Sequence, residues 1–122
     1  MIYEKELSDE IIGAAIEVHK SLGNGFLEKV YENALMLELK SRNIKAHNQT
    51  KIEVKYKNQI VGEYFADIVV EDKIILELKV CDKIHGIHQA QLINYLKATS
   101  RKVGYVLNFG SPQKLEFKRI VY

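Results

Sequence analysis

With 122 residues, 47% of them hydrophobic, the chain has material for one ordinary globular domain, 1–122, able to bury about two-thirds of its unfolded surface without staples. A single cysteine, Cys81, excludes an internal disulfide and a cysteine-rich zinc site; no apolar run is long enough to span a bilayer, and the charged segment 1–6 is not signal-like, so a reducing, cytoplasmic setting is expected. The formal net charge of +2, with no Lys/Arg tract, permits a polyanionic partner without requiring one.

Ser8 is a good N-cap, and Asp9 and Glu10 favour the first turn of a helix carrying Ile12, Ala15, Ile16, His19 and Leu22 at helical spacing. Gly23, Asn24 and Gly25 end it. A second helix over 27–42 has the apolar stripe Leu27, Val30, Tyr31, Ala34, Leu35 and Leu39. From Gln49 the period changes to two: Ile52, Val54 and Tyr56 alternate with Lys51, Glu53, Lys55 and Lys57, which describes a strand with one wet face. Lys57 and Asn58 form a turn. Strands over 60–70 and 74–81 are apolar on both faces, apart from three charged residues, and should lie centrally. A helix over 87–99 and strands over 103–109 and 115–121, parted by Gly110, Ser111 and Pro112, complete the order ααβββαββ.

The three exceptions are Asp67, within Phe65-Ala66-Asp67-Ile68-Val69-Val70, and Glu77 and Lys79, within Ile74-Ile75-Leu76-Glu77-Leu78-Lys79-Val80. An ionised group between sheet and helices forfeits several kcal/mol of hydration, roughly, unless another charge or a metal compensates. Glu77 and Lys79 are two apart on one strand and so share a face. A three-residue loop of Glu71, Asp72 and Lys73 would set Asp67 opposite Glu77 and Phe65 opposite Lys79; a two-residue loop would put Asp67 on the wrong face. Two carboxylates so placed repel each other unless a cation lies between them, and hard oxygen ligands suit Mg²⁺ or Mn²⁺. Such an ion beside an ammonium is the apparatus of phosphodiester hydrolysis. Spacing alone leaves open a structural network in which Lys79 neutralises both acids.

Asp67 followed by Glu77-Leu78-Lys79, with helices before and after, resembles the PD-(D/E)XK nuclease superfamily, although Ala66 stands where that name has proline. Val18-His19, Leu22-Gly23 and the run Gly25-Phe26-Leu27-Glu28-Lys29-Val30-Tyr31 are similar to the signature of the small GxxExxY family within it. The resemblance implies an α/β, restriction-endonuclease-like sandwich with a mixed central sheet flanked by helices. It implies that Asp67, Glu77 and the Leu78 carbonyl ligate Mg²⁺ or Mn²⁺, that Lys79 serves the nucleophilic water, and that Glu28 reaches the metal directly or through water. Tyr31 would orient Glu28 or simply pack. Gln91-Leu92-Ile93-Asn94-Tyr95 resembles a Q-x-x-x-Y element of RecB and phage lambda exonuclease branches, in which Gln91 and Tyr95 hold the lysine or touch DNA. Some of those branches place a metal-binding histidine upstream of the aspartate, the position His19 would fill. His85 and His88 form only a bare H-x-x-H at a helix start.

The sequence therefore points to a metal-dependent nuclease acting on DNA ahead of RNA. The alternative is a catalytically inactive nuclease-fold module that binds nucleic acid or a protein partner. Lys51, Lys55 and Lys57, with Lys97, Arg101 and Lys102, form an outward basic set that would meet a phosphate backbone or simply face solvent. The chain has no room for a separate recognition domain, so selectivity would come from loops, a homodimer mate or a protein partner.

Overall fold

A computed structural model of the chain describes residues 3–122, so Met1 and Ile2 of the charged N-terminal segment lie outside it. Its elements run α1 (Lys5–Leu22), α2 (Glu28–Ser41), β1 (Ala46–Tyr56), β2 (Gln59–Val70), β3 (Ile74–Lys79), α3 (Gly86–Thr99), β4 (Val103–Asn108) and β5 (Glu116–Val121). The five strands form one sheet in sequence order. Every neighbouring pair is antiparallel except β3 and β4, which run parallel and need α3 as the crossover between them. The expected mixed α/β sandwich in the order ααβββαββ is therefore present. Among the described residues no helix is long and apolar enough to cross a membrane.

Each face of the sheet has its own core. Ile68, Val70, Ile74, Leu76, Leu78 and Tyr105 pack with the buried sides of α1 and α2, while Val69, Ile75 and Val106 pack with Leu92, Tyr95 and Leu96 of α3. The β2–β3 register is Val70 to Ile74, Val69 to Ile75 and Ile68 to Leu76, closed by the expected three-residue loop 71–73. Glu71 and Asp72 adopt left-handed φ of 50° and 58°, and the Lys73 N–H donates to the Val70 carbonyl at 2.9 Å. Lys57 and Asn58, also left-handed, turn β1 into β2 as expected.

Several details depart from the sequence reading. Ser8 does not cap α1: the helix starts a turn earlier, Lys5 pairs with Asp9 at 2.7 Å, and the buried Ser8 hydroxyl instead accepts from Arg119 of β5 at 3.0 Å. The buried side of α1 is accordingly Ser8, Ile11, Ala14, Ala15, Val18 and His19, which leaves Ile16 exposed. In α2 the first side chain to reach the core is Tyr31, stacked on Phe109 with ring centroids 4.9 Å apart. Leu27, one turn earlier, overhangs the packed layer and is 81% exposed, and Val30 is exposed too. The distal half of β2 is not central, because its pairing with β3 ends at Ile68 and only β1 continues beside it. Ile60, Val61 and Phe65 are exposed, as is Tyr56 on β1.

Beyond Lys79 the sheet is continued by side chains. The Phe109 N–H donates to the Lys79 carbonyl at 2.9 Å, and the fully buried Asn108 amide accepts from Cys81 N–H and Gly110 N–H while donating to the Cys81 carbonyl and Glu116. This clamp holds the end of β3, and it requires glycine at 110, where a β-carbon would sit 2.6 Å from both the nitrogen and the oxygen of Cys81. At Gly104 the nearest atom to an added β-carbon is Cδ1 of Leu92, at 2.7 Å. Gly104→Ala should lower the unfolding free energy by about 1–3 kcal/mol through overpacking, and Gly110→Ala by more, because peptide atoms yield less than a leucine methyl. Denaturant titration of the two variants gives the ranking.

Candidate active site

The site forms where β2 parts from β3. Continuing the β2–β3 register places Asp67 across from Glu77. At this point the side chains replace the ladder: the Asp67 N–H donates to Oε2 of Glu77 at 2.9 Å, and the Leu78 N–H donates to Oδ2 of Asp67 at 2.8 Å. Each carboxylate thus holds the other's strand. On the far side of β2, Asn48 pairs with Ile68 and Thr50 with Ala66, which leaves Gln49 across from Asp67 with a left-handed φ of 49°. The kink has a consequence for layering. Ala66 packs with the α3-side core and Ile68 with the α1/α2-side core, although residues two apart in a regular strand share a face. The strand turns over at Asp67, which is why that side chain lies within reach of both helix layers.

The electrostatics follow from burial. Glu77 is 3% exposed; loss of hydration first, and the Asp67 charge second, push its carboxyl up to about 8, against hydrogen bonding from Asp67 N–H and the Lys79 ammonium. Asp67, half-buried, is raised as well, mainly by lost hydration, with the Leu78 N–H and Lys79 opposing. Lys79 therefore does not neutralise the two acids fully. The ammonium reaches Oε1 of Gln91 at 3.4 Å, and Nε2 of Gln91 donates to the Tyr95 hydroxyl at 3.1 Å. The expected trio, together with Gln91 and Tyr95, is brought together from β2, β3 and α3. The Tyr95 hydroxyl is raised by burial and then by the Glu77 and Asp67 charges, so it stays protonated while accepting from Gln91.

Glu28 opens α2 and is exposed, yet its carboxyl is raised by partial desolvation and then by the Asp67 charge, while Lys79 lowers it. Its helix is fixed by the loop before it. The Tyr31 hydroxyl donates to the Gly23 carbonyl and accepts from Phe26 N–H at 3.2 Å, and Gly23 and Gly25 adopt φ of 69° and 119°, conformations that favour glycine. Tyr31 thus staples the α1–α2 loop and positions the start of α2. It does not bond Glu28 itself.

His19 is 4% exposed, and its Nε2–H donates to the Ser111 carbonyl at 2.8 Å, bridging α1 to the β4–β5 loop. His85 and His88 cap α3, the ring Nδ1 of His88 accepting from the His85 N–H at 3.1 Å. Two residues escaped the sequence reading. Glu32 is 5% exposed and accepts from Lys29, Asn48 and Gln49 at 2.8, 3.0 and 2.9 Å. Burial works to raise its carboxyl, but those three donors outweigh it and hold Glu32 below the usual range. Nearby charge and dipoles couple this cluster to Asp67: Glu32 works to raise the Asp67 carboxyl, and Gln49 works to lower it. Glu32 lies one residue past Tyr31, but a glutamate on a helix carries no sequence mark of burial.

A family model for the PD-(D/E)XK nuclease superfamily matches residues 5–120. The chain belongs to that superfamily. The fold also matches the crystal structure of SSO0001 at 21% identity and a TM-score of 0.59, over 98% of this chain and 59% of that one; at this identity the likeness is one of fold. No curated protein matches the sequence. PD-(D/E)XK nucleases generally use divalent metal ions, and the donor set here fits one. The two adjacent carboxylates each commit one oxygen to an N–H and keep another, and with both ionised they would carry one more negative charge than Lys79 offsets. Among the described residues no three His, Cys, Asp or Glu side chains form a ready-made cage. Magnesium sites commonly take one or two carboxylates, with water and substrate phosphate filling the rest.

Because Glu77 holds its proton more tightly folded than unfolded, the metal-free protein of this PD-(D/E)XK domain should lose stability as pH rises from the ordinary carboxylate value of 4.5 to about 8. The slope from this group is at most about 1.4 kcal/mol per pH unit. Glu77→Gln should flatten that slope and be the more stable protein at pH 8. Chemical denaturation across this range in EDTA measures both effects.

Proposed function

We propose that the chain hydrolyses phosphodiester bonds in nucleic acid, DNA ahead of RNA, with Mg²⁺ or Mn²⁺ held by Asp67, Glu77 and the Leu78 carbonyl. The observation that carries this reading is the buried Asp67–Glu77 pair, whose charge Lys79 compensates only in part. When bound, the ion supplies an acidified water and neutralises charge developing on the attacked phosphate. Lys79, steadied by Gln91 and through it by Tyr95, orients the attacking water and faces the phosphate with its ammonium. Glu28, whose carboxyl the Asp67 charge raises and Lys79 lowers, would reach the ion directly or through a water. Any part His19 takes in holding the ion runs through Nδ1, since Nε2 serves Ser111.

The finer kinship is with the GxxExxY group. Its spacing has a physical reading here: Gly25 frees the loop, Tyr31 staples it, and Glu28 is thereby presented at the head of α2. Loops, a homodimer mate or a protein partner would supply any selectivity.

The test is cleavage of single-stranded, double-stranded and branched DNA under Mg²⁺ or Mn²⁺ titration. Asp67→Ala and Lys79→Ala should each lower the rate by at least about 100-fold, the scale seen when a charge-stabilising group is removed. Cleavage that survives both substitutions contradicts the assignment.

A further inference from the structure

The nuclease reading uses Gln91 and Tyr95 on α3 and leaves a third polar side chain of that helix without a task. Tyr95, Gln91 and His88 follow one another at four and three residues, so they form a single stripe along α3. The stripe is ordered with respect to the site. The Tyr95 hydroxyl feels the Glu77 and Asp67 charges, the Gln91 amide bonds Lys79, and the charges acting on His88 are those of Lys79, His85 and Glu116. His88 therefore stands past Lys79, on the side away from the two carboxylates. Three residues of helix rise about 4.5 Å, so a phosphate that reaches His88 is a neighbour of the one Lys79 faces.

The surroundings also fix the state of the half-buried His88 ring. Its Nδ1 accepts from the His85 N–H at 3.1 Å, so in the neutral ring the proton sits on Nε2. Lost hydration first, then the Lys79 and His85 charges, hold His88 below the ordinary histidine value of 6.5, against Glu116. The charged groups facing the ring are thus Lys79 from β3, Glu116 from β5 and, from the loop before α3, His85 with Asp82 at 3.5 Å from it. Glu116 is itself engaged by the Ile84 N–H and the Asn108 amide. Among the described residues Nε2 of His88 has no partner, and no buried side-chain nitrogen lacks one, so this N–H opens to solvent. A second ammonium so near Lys79 would repel it, whereas a neutral imidazole donates a hydrogen bond without adding like charge.

We propose that Nε2–H of His88 binds a substrate phosphate next to the one attacked at Asp67 and Glu77, so that α3 grips the nucleic-acid backbone beyond the cut. This rests on the nuclease reading of the same site. One ring nitrogen caps the helix and thereby aims the other. The contact is to a phosphate oxygen, which every nucleotide carries, so it adds affinity and register without reading sequence.

The test is binding at pH 7 in EDTA, where no cut is made, by fluorescence anisotropy with a labelled single strand and its duplex. A Glu or Gln at the third helical position reaches back to the N-cap N–H as Nδ1 of His88 does, so His88→Gln and His88→Glu both keep the cap. Only the glutamine also offers an outward N–H. On the form that wild type binds more tightly, His88→Ala should lose about tenfold, the scale of a hydrogen bond to a charged group, and His88→Gln should stay within about threefold of wild type. His88→Glu should bind no better than His88→Ala, although its circular dichroism melt matches that of His88→Gln. Under Mg²⁺, His88→Ala should raise KM with little change in kcat, because the contact is the same before and during attack. Unchanged affinity in folded His88→Ala, His88→Glu binding as well as His88→Gln, or failure of wild type to bind either form overturns the proposal. If hydrolysis fails while the contact stands, these affinities persist without cleavage. If the contact fails while hydrolysis stands, His88→Ala cleaves as wild type does and Asp67→Ala does not.

Discussion

The arrangement depends on a pair of carboxylates placed where two strands stop pairing. Asp67 and Glu77 each take a backbone N–H that the interrupted ladder leaves over, so the strands remain tied where their pairing ends. The tie has an electrostatic consequence. Both acids are partly or wholly removed from water, both are raised, and the single ammonium of Lys79 does not restore the balance. A fold assembled for stability alone does better with apolar residues at such positions. The charge imbalance is intelligible as the preparation of a divalent-cation site.

The rest of the domain keeps that pair in place. The Asn108 clamp extends β3 past Lys79 and fixes the strand that carries both Glu77 and the lysine. Tyr31 pins the α1–α2 loop against the Phe109 ring, so that α2 begins beside the carboxylates. Gln91 and Tyr95 bring α3 to bear on Lys79. Glu32 and Gln49, bonded to each other, approach Asp67 at the point where the strand turns over. Two helix layers and three strands therefore converge on a few atoms.

Much of this was legible from local pattern. Period-two alternation and a three-residue loop were enough to place Asp67 across from Glu77, because hairpin register is set by loop length. The i to i+4 spacing of Gln91 and Tyr95 put both on one side of a helix. What local pattern could not supply was tertiary. Ser8 reads as a cap until Arg119, 111 residues away, takes its hydroxyl. Leu27 reads as core until the helix is seen to overhang its layer. The turn-over of β2 at Asp67 depends on the left-handed Gln49, a residue with no marked preference for that conformation, and Glu32 is buried only because Asn48 and Gln49 come to meet it.

The central claim, that Asp67 and Glu77 form a cation site held partly protonated until the ion arrives, is tested most directly by isothermal titration calorimetry with Mn²⁺ at pH 7 in two buffers of different ionisation enthalpy. The account predicts binding to one site per chain with release of about one proton, both lost in a protein carrying Asp67→Ala. No binding, or binding with no proton released and unaffected by Asp67→Ala, would contradict it.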